Sequence, residues 1–247
     1  MNALGIDVGG SGVKGAIVDL RTGLFVGERH RIATPEPATT KALTRVVGRV
    51  VKHFAWKGPV GCGMPGPVKA GVLMTAVNLH PSWVGAKAEE LYSHACGRPV
   101  RVVNDADAAG IAEMKFGAGK GKKGVVVVLT LGTGIGSAVF IDGVLLPNTE
   151  FGQMEIRGKR GERRAAARVK KDKGLSWEEW AERLNEYLAG LEGLLWPDLL
   201  ILGGGVSKKA KSFIPLLSTR AQVVPARLEN RAGIVGAALM AGTPRRR

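Results

Sequence analysis

The chain carries the same glycine-rich pattern twice, once near its beginning and once in its second half. Residues 5–19 read GIDVGGSGVKGAIVD, and residues 129–142 read LTLGTGIGSAVFID, so that Gly9 aligns with Gly132 without a gap. In each copy an apolar run enters a turn of glycine and small hydroxyl residues, and a second apolar run leaves it. Because glycine tolerates positive φ and exposes backbone N–H groups, such turns can hold an anion. Two copies predict two lobes that face one phosphate-bearing ligand.

The residues around these turns have the types that hold phosphate and its metal ion. The candidates for phosphate are Gly9, Gly10, Ser11, Gly12, Lys14, Gly132, Thr133, Gly134 and Gly136. Asp7 ends the run before the first turn, where its carboxylate could hold Mg²⁺, through water, against phosphate oxygens. The alternative is an aspartate that caps a turn, which is common before glycine. The second copy of the turn favours the metal-binding interpretation.

A third segment, residues 103–110, reads VNDADAAG and follows a short apolar run. Asn104, Asp105 and Asp107 would lie at the start of a helix, where the helix dipole favours carboxylates. Taken alone, the segment is better explained as a helix N-cap with acidic residues in its first turn. Its chemical interpretation is that Asp105, between two phosphate-binding turns, accepts a proton from an attacking hydroxyl.

Three glutamates follow the second turn, at Glu150, Glu155 and Glu162. Carboxylates can accept paired hydrogen bonds from the hydroxyls of a sugar. They can equally neutralise the Arg and Lys side chains around them, and the residues alone leave both interpretations open.

Two better-known nucleotide motifs are excluded. Residues 61–66 have the glycine spacing of a dinucleotide fingerprint, but Pro65 and Pro67 leave no room for the helix that this motif requires. The glycine–lysine pairs lack the spacing of a Walker A loop.

Apolar spacing predicts the elements that position these groups. Strands are expected at 4–8, 13–20, 24–31, 60–66, 100–103, 125–131, 137–141, 144–146 and 199–202. Helices are expected at 38–55, 86–96, 106–116, 176–194, 207–217 and 229–241. This alternation predicts an α/β fold with mixed sheets. The charge-rich segment 158–174 is expected to be the least ordered.

Composition limits the classes of protein. The chain has 247 residues, of which 45% are hydrophobic and 23% charged, as in a globular protein with a substantial core. Its apolar runs are too short to span a bilayer, so no membrane partner is expected. Cys62 and Cys96 form no disulfide framework, and no signal-like segment precedes Asp7, which together favour the cytoplasm.

The net charge of +15 is unusual, and it comes from clusters of Lys and Arg. A basic surface attracts polyanions such as nucleic acid, anionic lipid or polyphosphate. For any one cluster a solvated surface is the simpler explanation, but the total favours an anionic partner. Nucleic acid is the less expected one, because only 5% of the residues are aromatic and none is interleaved with the basic clusters.

Five segments together resemble the ROK (repressor, open reading frame, kinase) family of sugar kinases. They are GIDVGGS at 5–11, GMPGPV at 63–68, VNDAD at 103–107, LGTGIG at 131–136 and LGGGV at 202–206. The resemblance implies a two-lobed actin/hexokinase-like (ribonuclease H-like) α/β fold with mixed sheets and a cleft between the lobes. Residues 1–108 would form a small N-terminal lobe and 109–247 a larger C-terminal lobe. The last helix, about 229–242, is expected to pack back on the first lobe.

Within the family the chain is most similar to polyphosphate glucokinases, through LLPNTEFG at 145–152, GLSWEEW at 174–180 and the segment 196–208. That resemblance implies phosphorylation of glucose at the 6-hydroxyl by inorganic polyphosphate, with Mg²⁺ as cofactor, and it leaves open whether ATP is a second donor. The alternative is an ATP-dependent hexokinase of the family that acts on glucose, mannose, fructose or an N-acetylhexosamine. The basic clusters favour polyphosphate, and they predict that its use is more sensitive to salt than the use of ATP.

The resemblance also assigns residues by position. Asp105 is the general base, and the sugar contacts are Asn78, Asn104, Asp105, Glu150, Gln153 and Glu162. The side of the donor that carries a nucleoside would contact Gly203, Gly204, Gly205 and Lys208. Thr149 stands where the family has glycine, and Gln153 stands where it has histidine. Many relatives use that histidine and three cysteines to hold zinc, and those cysteines are missing here, so no zinc is expected.

Other classes are less consistent with the residues. Sugar-responsive repressors of the family carry a DNA-binding helical domain before the first phosphate loop, which here begins close to Met1. A repressor is therefore not expected. The resemblance further implies a homodimer that forms through the second lobe.

Overall fold

The computed structural model describes residues 1–76 and 79–242. Contacts divide the chain into unit 1, Met1–Ala112 with Arg231–Arg247, and unit 2, Glu113–Asn230. The boundary therefore falls inside a helix, and the last helix belongs to unit 1. No helix in the described ranges is long and apolar enough to cross a membrane.

The elements alternate between strands and helices along the chain. The strands are β1 Asn2–Gly9, β2 Gly12–Asp19, β3 His30–Ile32, β4 Val60–Met64, β5 Val68–Lys69, β6 Val72–Leu73, β7 Val100–Asn104, β8 Val125–Leu131, β9 Ile135–Ile141, β10 Val144–Leu146, β11 Glu155–Ile156, β12 Lys159–Arg160, β13 Leu199–Gly203 and β14 Gln222–Pro225. The helices are α1 Thr40–His53, α2 Ala88–Cys96, α3 Asp105–Phe116, α4 Glu162–Ala165, α5 Ala167–Asp172, α6 Trp177–Leu195, α7 Ala210–Phe213 and α8 Ala232–Ala241.

Unit 1 is built on a five-stranded mixed sheet in the order β3-β2-β1-β4-β7. β1, β2 and β3 are antiparallel, whereas β4 and β7 run parallel to β1 and need helical crossovers. The crossover α1 buries one apolar stripe, Leu43, Val46, Val47, Val50 and Val51, against the core of this unit. The strand expected at 24–31 is wrong: His30–Ile32 is the strand that pairs with β2, and Phe25 makes only an isolated bridge to Val18. Gly27 (φ +84°) breaks the extended conformation between them.

The last helix, α8, contacts β1, β4 and β7 in unit 1. It approaches them closely because glycines stand at the contacts. A Cβ at Gly5 would overlap the carbonyl of Ile234, and one at Gly61 would overlap that of Ala237. On α8 itself, a Cβ at Gly236 would overlap the carbonyl of Ala108 in α3. Backbone therefore packs directly on backbone at this helix.

Unit 2 repeats the same topology, with a sheet in the order β10-β9-β8-β13-β14. β8, β9 and β10 are antiparallel, and β13 and β14 run parallel to β8. The long helix α6 begins with a capping box between Ser176 and Glu179 and buries Trp180, Leu184 and Leu188. The duplication seen in the glycine turns thus extends to the whole sheet, and the prediction of an α/β fold with mixed sheets is confirmed.

Three expectations for unit 2 need correction. The segment 158–174 is ordered and contains β12, α4 and α5. The helix expected at 207–217 is only α7, flanked by 3₁₀ turns, and Pro215 lies in the second of them. The strand β14 was not expected from the sequence at all.

Candidate functional site

The first glycine turn closes the β1–β2 hairpin, with Gly9 paired to Gly12 and Gly10 and Ser11 at the tip. The φ angles of its glycines are not positive, so a left-handed conformation, one of the two reasons expected for glycine, is wrong here. A Cβ at Gly10 would meet no atom within 4 Å. What glycine leaves at the tip is bare backbone open to solvent, which suits the close approach of an anion.

Two side chains that the sequence analysis missed hold this turn. Arg31 Nη2 donates a hydrogen bond to the carbonyl of Ser11 at 2.6 Å, and Thr34 Oγ1 donates one to the carbonyl of Gly9 at 2.6 Å. Arg31 reaches the turn because β3 pairs with β2 and places it opposite Lys14. Gly12 leaves the space for the guanidinium, since a Cβ there would lie 2.9 Å from Arg31 Cζ. The turn is therefore fixed at its carbonyl oxygens and has two cations beside it.

Asp7 faces Lys14 across the same hairpin, with 3.4 Å between Oδ2 and Nζ and 21% and 28% of the side chains exposed. Within residues 1–76 and 79–242 no three His, Cys, Asp or Glu side chains are grouped to hold a metal ion. Mg²⁺ commonly takes only one or two protein carboxylates and completes its shell with water and substrate phosphates. A single half-buried carboxylate beside the first glycine turn fits that ion.

The general-base candidate lies where β7 ends and α3 begins. The side-chain oxygen of Asn104 accepts the N–H of Asp107 at 2.9 Å, so Asn104 is the N-cap of α3. Asp105 Oδ1 accepts the N–H of Ala106 at 2.8 Å. Asn104 and Asp107 are 3% and 1% exposed, whereas Asp105 is half-buried. Of the two aspartates, Asp105 is thus the one that a substrate can reach.

The second glycine turn joins β8 to β9 in unit 2. Leu131 pairs with Ile135, so this turn has three residues, one more than the first turn. The N–H of Arg168, in α5, donates to the carbonyl of Gly132 at 3.0 Å and stabilises the turn. A Cβ at Gly134 would collide with the Glu162 carboxylate. Glycine at 134 therefore lets a carboxylate lie directly against the turn.

Glu150, Gln153 and Glu162 form one cluster in unit 2. Gln153 Nε2 donates to Glu162 Oε1 at 3.3 Å. Glu150 is exposed as a residue, yet loss of hydration at its carboxyl, and then the negative charge of Glu162, raise its pKa. Glu155 is not part of the cluster, because it lies on the short strand β11 opposite Arg160.

Thr149, at the position of the family's glycine, fastens the loop that carries Glu150. Its hydroxyl donates to the carbonyl of Ser137 at 2.9 Å, and the hydroxyl of Ser137 donates back to the carbonyl of Thr149 at 2.8 Å. The N–H of Phe151 also donates to Ser137 Oγ, at 3.0 Å. The loop is held on β9, next to the second glycine turn.

Tyr187 is a further residue that the sequence analysis gave no role. It is fully buried on α6, and its hydroxyl has no hydrogen-bond partner in the described part of the chain. Burial, and then the charge of Glu162, raise the pKa of Tyr187 well above its usual range. The phenol therefore stays neutral near the Glu162 carboxylate.

The donor-side candidates lie at the end of β13, in contact with the second turn. Gly204 has φ +83°, and a Cβ there would collide with the backbone of Leu131, which leads into that turn. Ser207 Oγ donates to the carbonyl of Gly204 at 2.8 Å and stabilises the loop. Lys208 lies 3.5 Å from Glu229 with both side chains about half exposed, so this ion pair is weak.

The structure thus gives two groups of candidates, one in each unit. Unit 1 brings together Asp7, Lys14 and the first turn, and separately places Asp105 at the start of α3. Unit 2 brings together the second turn, the loop after β13 and the glutamate cluster. Asn78 lies outside the described residues.

We expect the Glu162→Gln variant to lower the pKa of Glu150, because it removes the negative charge that helps to raise it. A carboxyl-carbon NMR titration of Glu150 measures the shift. Glu155→Gln removes the same charge from an exposed strand of the same unit and should leave the titration unchanged. An unchanged or higher midpoint in Glu162→Gln would show that the two carboxylates do not interact.

Comparison with known proteins identifies relatives along nearly the whole chain. Over 239 residues the chain is 50% identical to the polyphosphate glucokinase of Mycobacterium tuberculosis, covering 96% of this chain and 90% of that protein. The crystal structure of an inorganic polyphosphate/ATP-glucomannokinase from Arthrobacter superposes with a TM-score of 0.93 at 46% identity, covering 96% and 97% of the two chains. A ROK family glucokinase from Streptomyces griseus, in complex with glucose and AMPPNP, superposes with a TM-score of 0.83 at 26% identity, covering 98% and 99%.

A comparison with sequence models of protein families agrees with these similarities. The sequence model of the ROK family matches residues 3–161, which include both glycine turns, Asp105 and Glu150. The resemblance drawn from the five sequence segments is therefore confirmed, as is a fold shared with ROK kinase structures. The chain belongs to the ROK family.

Proposed function

We propose that the protein is a polyphosphate glucokinase, an enzyme that transfers the terminal phosphoryl group of inorganic polyphosphate to the 6-hydroxyl of glucose. The observation that carries this proposal is the identity of half of all aligned residues with the Mycobacterium tuberculosis polyphosphate glucokinase. The alignment includes 96% of this chain and 90% of that protein.

Asp105 is proposed as the general base. It accepts the proton of the 6-hydroxyl while that oxygen attacks the terminal phosphorus and the bond to the remaining phosphate chain breaks. The Asn104 cap fixes the first turn of α3, and the N–H of Ala106 donates to the Asp105 carboxylate and orients it. Positioning of this kind contributes strongly to phosphoryl transfer, which needs little covalent chemistry from the protein.

The glutamate cluster is proposed to bind the sugar, together with Asn78 and Asn104. Carboxylates of Glu150 and Glu162 can each accept hydrogen bonds from two neighbouring hydroxyls. Gln153 acts through Glu162, because its amide donates to that carboxylate and orients it. Gln153 can thus contribute an orienting amide in the position where the family has histidine.

The two glycine turns, with Lys14, are proposed to bind the phosphates of the donor. Arg31 adds a second cation at the first turn. When bound through water at Asp7, Mg²⁺ would neutralise charge on the phosphate oxygens. No zinc is required by the groups described above. Lys208 and the loop 203–205 would contact the nucleoside when ATP is the donor.

ATP is proposed as a second donor, because the Arthrobacter structure is that of a polyphosphate/ATP-glucomannokinase. The same relative makes mannose a second candidate acceptor. The family resemblance further supports a homodimer that forms through unit 2, and a cytoplasmic enzyme.

We expect the purified protein to form glucose 6-phosphate from glucose and nucleotide-free polyphosphate in the presence of Mg²⁺. Parallel assays with ATP, and with mannose as acceptor, define the donor and acceptor range. Activity should fall more steeply with added salt for polyphosphate than for ATP, because binding of a long polyanion releases more counterions than binding of a nucleotide. Activity with ATP alone would contradict polyphosphate as a donor and favour an ATP-dependent hexokinase of the same family.

A further inference from the structure

A groove of about 1600 Å³ lies in unit 1, between α1 and α2 and the turn that follows α1. We call it the α1–α2 groove. The two helices touch at its floor, where Gly48 of α1 lies against Ala95 of α2, so that a Cβ at Gly48 would be 3.2 Å from the Ala95 carbonyl oxygen. None of the residues of the first glycine turn lines it, and neither does Asp105.

The lining of this groove is strongly basic. It contains seven Lys and Arg side chains and a single acidic one, Glu90. Glu90 pairs with Lys87 on the same helix at 3.3 Å, and both side chains are about two-thirds exposed. The acidic residue therefore neutralises a neighbour on α2 and leaves the cations of α1 without a partner.

The cations of α1 form one stripe along the helix. Lys41, Arg45, Arg49 and Lys52 follow each other at intervals of three or four residues, and all are exposed. None of these four side chains makes a hydrogen bond or ion pair within residues 1–76 and 79–242. With a rise of about 1.5 Å per residue, the stripe is about 16 Å long. Lys57 continues it beyond the end of α1.

This arrangement is unfavourable for the isolated helix. Like charges three or four residues apart repel each other, and α1 has no acidic residue to compensate them. Lys41 also lies in the first turn, where the helix dipole disfavours a cation. An extended anion along the groove would offset this repulsion, because it would add a favourable interaction with each cation of the stripe.

We propose that the α1–α2 groove binds a stretch of linear inorganic polyphosphate, at a second site apart from the glycine-rich turns. This rests on the proposed function, which supplies a polyanion long enough to follow the stripe. A chain held at two sites gains affinity through effective concentration, so the groove would lower the KM for long chains. Nucleic acid is less well suited, because Trp56 is the single Phe, Tyr or Trp among the residues described as lining the groove, so that successive bases would find no series of aromatic rings to stack on.

The test compares two triple variants with the same change of charge. Arg45→Gln, Arg49→Gln and Lys52→Gln remove three cations of the stripe. Lys171→Gln, Lys173→Gln and Lys211→Gln remove three exposed lysines of unit 2 that do not line the groove. All six positions are exposed, so both variants should fold, which thermal unfolding checks.

The first readout is kinetic. The groove variant should raise the KM for long-chain polyphosphate about tenfold, because one of two linked sites is weakened. Its kcat, and its KM for triphosphate, ATP and glucose, should match the control, since triphosphate is shorter than the stripe. Equal KM values of the two variants for long chains would overturn the proposal.

The second readout is direct binding without glucose, so that no turnover occurs. Long-chain polyphosphate should bind the groove variant more weakly than the control, and the slope of log affinity against log salt should fall by about 2 for three lost contacts. Because it requires no turnover, this measurement tests polyphosphate binding at the groove even if the protein uses only ATP as a donor. Equal polyphosphate binding by both variants, or a loss confined to a single-stranded oligonucleotide, would overturn the assignment to polyphosphate.

Discussion

The Asp105→Asn variant should lose turnover by about 10²-fold or more, which is the range of a positioned acid–base group. The amide oxygen of asparagine can still accept the N–H of Ala106, so the start of α3 should keep its geometry. What the amide cannot do is accept the proton of the sugar hydroxyl. We therefore expect the loss in kcat, with little change in the KM for glucose or in the unfolding temperature.

The same loss should appear with polyphosphate and with ATP, because the base acts on the acceptor, which is common to both reactions. Asp172→Asn is a matched control: it makes the same chemical change on α5, where the carboxylate is 56% exposed and pairs with Arg168. Its turnover should equal that of the wild type. Wild-type turnover in Asp105→Asn would exclude Asp105 as the base, and a loss with only one donor would assign it to donor binding instead.

The parts of the fold that the sequence predicted are those decided by local contacts. The two glycine hairpins pair residues that are close in the chain, and apolar alternation specifies both strands of each. The helix α1 is likewise specified by its own spacing, since the apolar stripe expected from residues 38–55 is the stripe that is buried. Neither case required information about distant segments.

The contacts that hold the candidate site were not predictable in this way. Arg31 reaches the first turn only because β3 pairs in one register with β2, and the sequence placed that strand too early. Gln153 meets Glu162 because β11 and β12 fold back between them. No pattern within either segment indicates such a partner, so the contact can be found only from the structure.

In the segment 158–174 the many charged residues conceal the apolar residues that attach it to the core. Ala165 and Ala166 are fully buried there, and both of their carbonyls accept the indole N–H of Trp180. Two alanines among many Arg and Lys residues give little apolar periodicity. They nevertheless attach the segment to the core of unit 2, because a small side chain allows the backbone to reach the buried indole.

The largest stability effect is expected from Gly236→Ala in α8. Alanine normally stabilises a helix relative to glycine, but here its Cβ would overlap the carbonyl of Ala108 on α3, and backbone cannot move aside as a flexible side chain can. We expect the free energy of unfolding to fall by about 3 kcal/mol, the upper part of the usual range for overpacking. Urea denaturation of the purified variant measures it.

Gly193→Ala is the matched control, since Gly193 lies in α6 and a Cβ there would meet no atom within 4 Å. This variant should be more stable than the wild type, by up to about 1 kcal/mol, from helix propensity alone. The same Gly→Ala substitution would then lower the free energy of unfolding in α8 and raise it in α6. This difference would separate the effect of close packing from that of helix propensity. If Gly236→Ala were as stable as the wild type, α8 would be able to move away from α3, and the direct backbone contact would not be required for folding.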